Sequence, residues 1–123
     1  MNGRFGNVRA NRIAGGGGGG GPTGGVFIHE DADSNSFSAS TPEGGQELLV
    51  LYDSTTLGAG TVTLPAAPNT DSRITVKDTG NSSANNITVD GNGNDIDGSA
   101  TTLINSDLAA LTFHFDGADW WVV

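Results

Sequence analysis

Chemistry in this 123-residue chain would have to start from fourteen carboxylates and two histidines, since cysteine is absent. The stretch "DGNGNDIDG", residues 90–98, comes nearest to a metal-binding pattern. Asp90, Asn92 and Asn94 alternate as the first ligands of a calcium loop do, because oxygens at that spacing converge on one cation. The pattern fails downstream: Asp95 stands where the loop needs glycine, and Thr101 where it needs a bidentate glutamate. "GNGND" also loosely matches the glycine- and aspartate-rich repeat of calcium-binding β-rolls, which works only as a stack of copies. One copy is present, and its residues are turn formers, so a hairpin turn is expected there. His29 and His114 have no partner at ligand spacing. His114 alternates with Phe113 and Phe115, which turns it toward solvent or a subunit contact. Asp90, Asp97 and Asp116 raise the paired carboxylates of a glycosidase, yet each adjoins a glycine in a turn, where a carboxylate bonds backbone. There is no G-x-S-x-G and no cysteine nucleophile, and the seven-glycine run lacks the Lys-Ser/Thr ending of a phosphate loop. No catalytic residue, cofactor or metal ligand is assigned, and an enzyme is not expected.

The elements that would position these residues are strands. Twenty glycines, abundant Thr, Ser, Asn and Asp, and few Lys or Glu argue against long helices. "QELLVLYD" reads as a buried strand. "GTVTLPAAP" sets Val62 and Leu64 against Thr61 and Thr63 and ends at Pro65, and "SRITVKD" sets Ile74 and Val76 against Arg73, Thr75 and Lys77. "NITVDG" turns Ile87 and Val89 inward, Ile96 anchors the following turn, and "TTLIN" adds another strand. "ALTFHFDGADWWVV" reads as a terminal hairpin with Leu111, Phe113 and Phe115 on one face and "DGAD" as its turn. Trp120 and Trp121 are adjacent in a strand and so face opposite ways, one into the core and one into a groove, an interface or a ligand. Turn signals every 8–12 residues predict an all-β fold, a single antiparallel β-sandwich or barrel-like domain. No internal repeat is visible, which argues against a solenoid.

Charge divides the chain. Arg4, Arg9 and Arg12 give residues 1–25 a formal +3, while Arg73 and Lys77 against all fourteen acids give residues 26–123 a formal −12, together the chain's −9. Residues 1–25 are read as an extended basic arm, residues 26–45 as a connecting segment and residues 46–123 as the β domain. "GGGGGGGPTGG" is a flexible hinge whose seven glycines span about 15 Å on average and about 24 Å when stretched, enough to reach an adjacent subunit. Phe5, Val8 and Ile13 among the arginines suit docking rather than solvation. Val26, Phe27 and Ile28 form an apolar run, either an edge strand or a peg for a partner's groove. The acidic body excludes nucleic acid and anionic membrane as partners. No apolar stretch approaches the roughly 18 residues of a membrane span. The basic start runs into glycine instead of an apolar core, so no secretory signal is expected.

The run "TVTLPAAP", "SRITVKDTGNSSANNITVDGNGNDIDGSA", "LTFHFDGADWWVV" resembles a module recurrent in virion proteins of tailed bacteriophages. The likeness covers about residues 47 to 123, on the "TVTLP" strand, the "I-V-KD-x-G" strand, "NNIT", the "IDG" turn and the closing "DG-x-x-W-x-V" hairpin. It implies a small structural protein of the particle, commonly trimeric, with Leu64, Ile74, Val76, Ile87, Ile96, Gly98, Gly117 and Trp121 at core and turn positions. A chain made of one arm and one domain suits a decoration or cement protein on the phage head, made in the host cytoplasm and bound to the major capsid protein. The shell contacts expected are Arg4, Phe5, Arg9, Arg12, Ile13, Val26, Phe27 and Ile28. The alternative is a tail-fibre or receptor-binding component that meets a host glycan through its outward Trp.

Overall fold

A computed structural model of the chain describes residues 26–43 and 46–123. Its elements in chain order are β1 (Val26–Asp31), β2 (Ser36–Ser38), β3 (Gln46–Tyr52), α1 (Ser54–Leu57), β4 (Gly60–Thr63), β5 (Arg73–Asp78), β6 (Ile87–Asp90), β7 (Thr101–Ile104), β8 (Ala110–Phe115) and β9 (Trp120–Val122). Period-two alternation accounts for them. Leu48, Val50 and Tyr52 of β3, Ile74 and Val76 of β5, and Ile87 and Val89 of β6 are buried, with polar or half-buried residues between them. The strands expected from residue 46 onward all form, and the described residues make an all-β structure with one four-residue helix. The 26–45 stretch adds the first strand to each of two sheets.

Those sheets run β1-β3-β5-β8-β9 and β2-β4-β6-β7, and their inner faces share one core from Ala39 to Trp120. Fully burying each Val, Leu or Ile there contributes about 1.5–3 kcal/mol. At the closed end, Phe115 and Trp120 pack with ring centroids 5.2 Å apart. The expectation of antiparallel pairing is corrected. β1 with β3, β3 with β5, β2 with β4 and β4 with β6 are all parallel, and only the pairs made by β7, β8 and β9 are antiparallel. From β1 to β6 the chain alternates sheets, so each circuit stacks one new strand on both; this is a coiled path without a sequence repeat. A parallel neighbour needs a crossover, and here the crossover is a strand of the opposite sheet.

Polar side chains tie the loops to this frame. Asp78 at the end of β5 is fully buried. It accepts from the Ser54 hydroxyl at 2.6 Å and from the backbone N–H of Gly80, Ser82 and Leu108 at 2.8, 2.9 and 3.0 Å. Burial pushes its carboxyl up, but these four hydrogen bonds outweigh the burial and hold it well below the usual carboxylate range. Asp53 caps α1 by accepting from the N–H of Thr55 and Thr56 at 3.1 and 3.2 Å.

Candidate functional site

The same alternation that fills the core sends fourteen side chains to the outer face of the five-stranded sheet. Register sorts them into rows. Phe27, Glu47, Arg73, His114 and Trp121 lie side by side across all five strands. His29, Leu49, Thr75 and Thr112 form the next row, and Val123 joins it by donating its N–H to the Thr112 carbonyl at 3.0 Å. Asp31, Leu51, Lys77 and Ala110 form the third. Thr75 and Thr112 join their hydroxyls at 2.8 Å.

Electrostatically this face is unlike the rest of the body. It gathers Arg73 and Lys77, the two cations of residues 26–123, together with both histidines. Asp31 and Glu47 stand on it too, and Asp71 and Asp116 reach its border through His114 and Trp121. Apolar groups are spread among the charges: Phe27 is 74% exposed, Trp121 44% and Val123 64%.

Local hydrogen bonds fix the orientation of the row. Arg73 Nε donates to His114 Nδ1 at 3.3 Å, so Nδ1 is the acceptor and His114 Nε2–H donates to Asp71 Oδ1 at 2.9 Å. Both ring nitrogens are thereby engaged, and the imidazole is a bridge between strands, not a free base. Trp121 Nε1–H donates to Asp116 Oδ2 at 2.8 Å across the hairpin turn. The Asp119 N–H, that indole N–H and the Ala118 N–H hold the Asp116 carboxyl below its ordinary range. Beside Arg73 a shallow groove of ≈ 180 Å³ opens between Glu43, Gln46, Glu47 and the 69–73 turn.

The residues expected to touch a partner are distributed unevenly over this arrangement. Arg4, Phe5, Arg9, Arg12 and Ile13 lie outside the described residues. Val26, Phe27 and Ile28 open the edge strand β1, and alternation splits them: Phe27 stands out from the sheet while Ile28 packs against the core. The two tryptophans face opposite ways as expected, Trp120 buried and Trp121 exposed; this corrects the core position that the resemblance gave Trp121, because the β8–β9 register turns Trp120 inward. Glu47 and Arg73 were not singled out as site residues, because only the β3–β5 register brings them together. In the aspartate-rich turn, the Asn92 and Asn94 amides donate to the carbonyls of Leu64 and Ala66, each at 3.1 Å, so they hold the turn against the preceding loop. Among the described residues no three His, Asp or Glu side chains are grouped to hold a metal ion, and no helix is long and apolar enough to cross a membrane. No protein-family profile matches the chain, and no curated protein matches it.

Proposed function

We propose that this chain is a structural protein of a tailed-bacteriophage particle, a decoration protein that binds the major capsid protein of the head shell. In this reading residues 1–25 are an extended arm on the shell, held by Arg4, Phe5, Arg9, Arg12 and Ile13, and the two sheets are the β-sandwich-like body that stands on it. The observation that carries the reading is the division of charge, +3 in residues 1–25 against −12 in residues 26–123, which suits an arm that grips an acidic neighbour. The groove beside Arg73, at ≈ 180 Å³, is smaller than the roughly 300 Å³ from which small-molecule sites start. The copy number of the chain per particle, measured by quantitative mass spectrometry against the shell protein, tests the placement. Hundreds of copies in fixed proportion to the shell are expected; a few dozen would move the chain to the tail, and absence would end the structural reading.

Trp121 supports a second reading, a tail-fibre or receptor-binding component. Its exposed indole is held by Asp116, and a fixed aromatic plane with polar neighbours is how a protein stacks on a sugar ring. That reading predicts glycan binding lost in Trp121→Ala, with particle attachment unchanged.

A further inference from the structure

The outer face of the five-stranded sheet has no partner within the chain, and we propose that a second copy of this chain covers it, packed across a two-fold axis that runs along the strands between β3 and β5. Charge argues for the occupant. Both cations of residues 26–123, Arg73 and Lys77, stand on this face, so it is here that one acidic body can meet another with opposite charges in contact. The charges of the strands are segregated: Asp31 and Glu47 lie on β1 and β3, Arg73 and Lys77 on β5, with Asp71 and Asp116 at the border beside His114 and Trp121. Such a face complements itself when the cationic strand of each copy lies over an acidic strand of the other.

Register then dictates the contacts. Rotation about an axis along the strands leaves each residue's height unchanged, so every row meets itself. β3 of each copy lies over β5 of the other, which sets Glu47 against Arg73 twice, Leu49 over Thr75 and Leu51 over the Lys77 stem. β1 falls over β8, placing Phe27 on His114, and Trp121 on β9 overhangs the free edge of β1 next to Phe27. The most exposed aromatics of the face are thus both covered. Among the described residues neither Glu47 nor Arg73 is in a salt bridge; the close His–carboxylate contacts are His29–Asp31 and His114–Asp71, so the Glu47 carboxylate is open to a partner's Arg73. Four overlapping strands, about 4.8 Å apart and about 20 Å long, cover ~380 Å² of plane per copy. With the overhanging aromatics the pair buries on the order of 1,000 Å² of accessible surface, the lower bound for a specific interface. A concentration-dependent dimer follows, in place of the trimer that the sequence resemblance implies.

Sedimentation of the full-length chain, free of any particle, tests this, so its outcome is independent of whether the chain binds a shell. The expected result is a shift with concentration from 12.4 kDa to twice that mass. Glu47→Arg and Arg73→Glu each place like charges at both contacts and are expected to weaken association about tenfold or more. Circular dichroism checks that both variants keep the strand signal. Mixed in equal amounts, the two single variants restore both opposite-charge contacts, and association should return to the wild-type level. A mass of 12.4 kDa at every concentration, a trimer, single variants that associate like wild type, or a mixture that stays monomeric would each overturn the proposal.

Discussion

Asp78 shows how much of this structure hangs on single polar side chains. Its two carboxylate oxygens accept four hydrogen bonds from three segments: Ser54 of α1, the 80–82 turn and the loop at Leu108. An amide at this position accepts through one oxygen only, so Asp78→Asn turns an NH₂ group toward two donors, one buried and one half-buried. Each orphaned donor costs about 1–3 kcal/mol, and a loss of roughly 3 kcal/mol is expected in urea titrations. The pH dependence has a defined sign. A carboxyl whose folded pKa lies below its unfolded value of about 3.9 stabilises the fold above that value. That stabilisation is lost as pH falls through about 4 toward the folded pKa. Wild-type stability should therefore be level between about pH 7 and pH 5 and fall below about pH 4, while Asp78→Asn flattens that fall. An equally steep acid limb in the variant would show that Asp53 and Asp116, whose carboxyls are also lowered, carry the effect instead.

At the scale of elements, a glycine marks one close approach between segments. Gly60 opens β4, and a Cβ there would meet the Tyr52 hydroxyl and the Asn35 carbonyl. Neither neighbour is free to retreat: the Tyr52 hydroxyl donates to the Gly58 carbonyl at 2.9 Å, and the Asn35 carbonyl accepts from Thr61 N–H at 3.0 Å. Gly60→Ala is expected to destabilise by about 1–3 kcal/mol through overpacking. Gly58, at φ +78° with open space around it, should lose only about 1 kcal/mol on the same change, from backbone strain. Equal losses at both positions in denaturant titrations would refute the distinction. Strand positions were legible because alternation needs only neighbours in sequence: Ile74 and Val76, or Phe113 and Phe115, announce their inward face. Strand direction was not. β1 and β2 are separated by the four residues Ala32–Asn35, a length that reads as a hairpin, yet the strands belong to different sheets. A strand presents the same inward residues whether its neighbour runs up or down, so parallel stacking leaves no mark in the pattern. The outer row from Phe27 to Trp121 was hidden for the same reason, since it exists only once the register of four strand pairs is known.

For the whole molecule, charge separates three regions that call for three kinds of contact. Residues 1–25 carry +3, the outer sheet face holds both cations of residues 26–123 beside Asp31 and Glu47, and the other acids, apart from the buried Asp78, lie at its border or on the rest of the surface. In the proposed reading the target of the basic residues 1–25 is therefore an acidic surface, on a shell or on a neighbouring body. Among the described residues, the side chains of the shared core and those packed against it lie between Ile28 and Val122. Deleting residues 1–25 should therefore leave thermal unfolding within a few degrees of the full chain while abolishing attachment to particles. Attachment of the full chain should weaken with added salt, because screening contracts from about 10 Å at 0.1 M to about 3 Å at 1 M. Replacing Arg4, Arg9 and Arg12 with glutamine should lower attachment and flatten its salt dependence, with Phe5 and Ile13 keeping the remainder. A truncated chain that still saturated its sites would move the contact from the arm to the sheet face. In that case Glu47→Arg, which spares the arm, would be the variant that detaches from the particle.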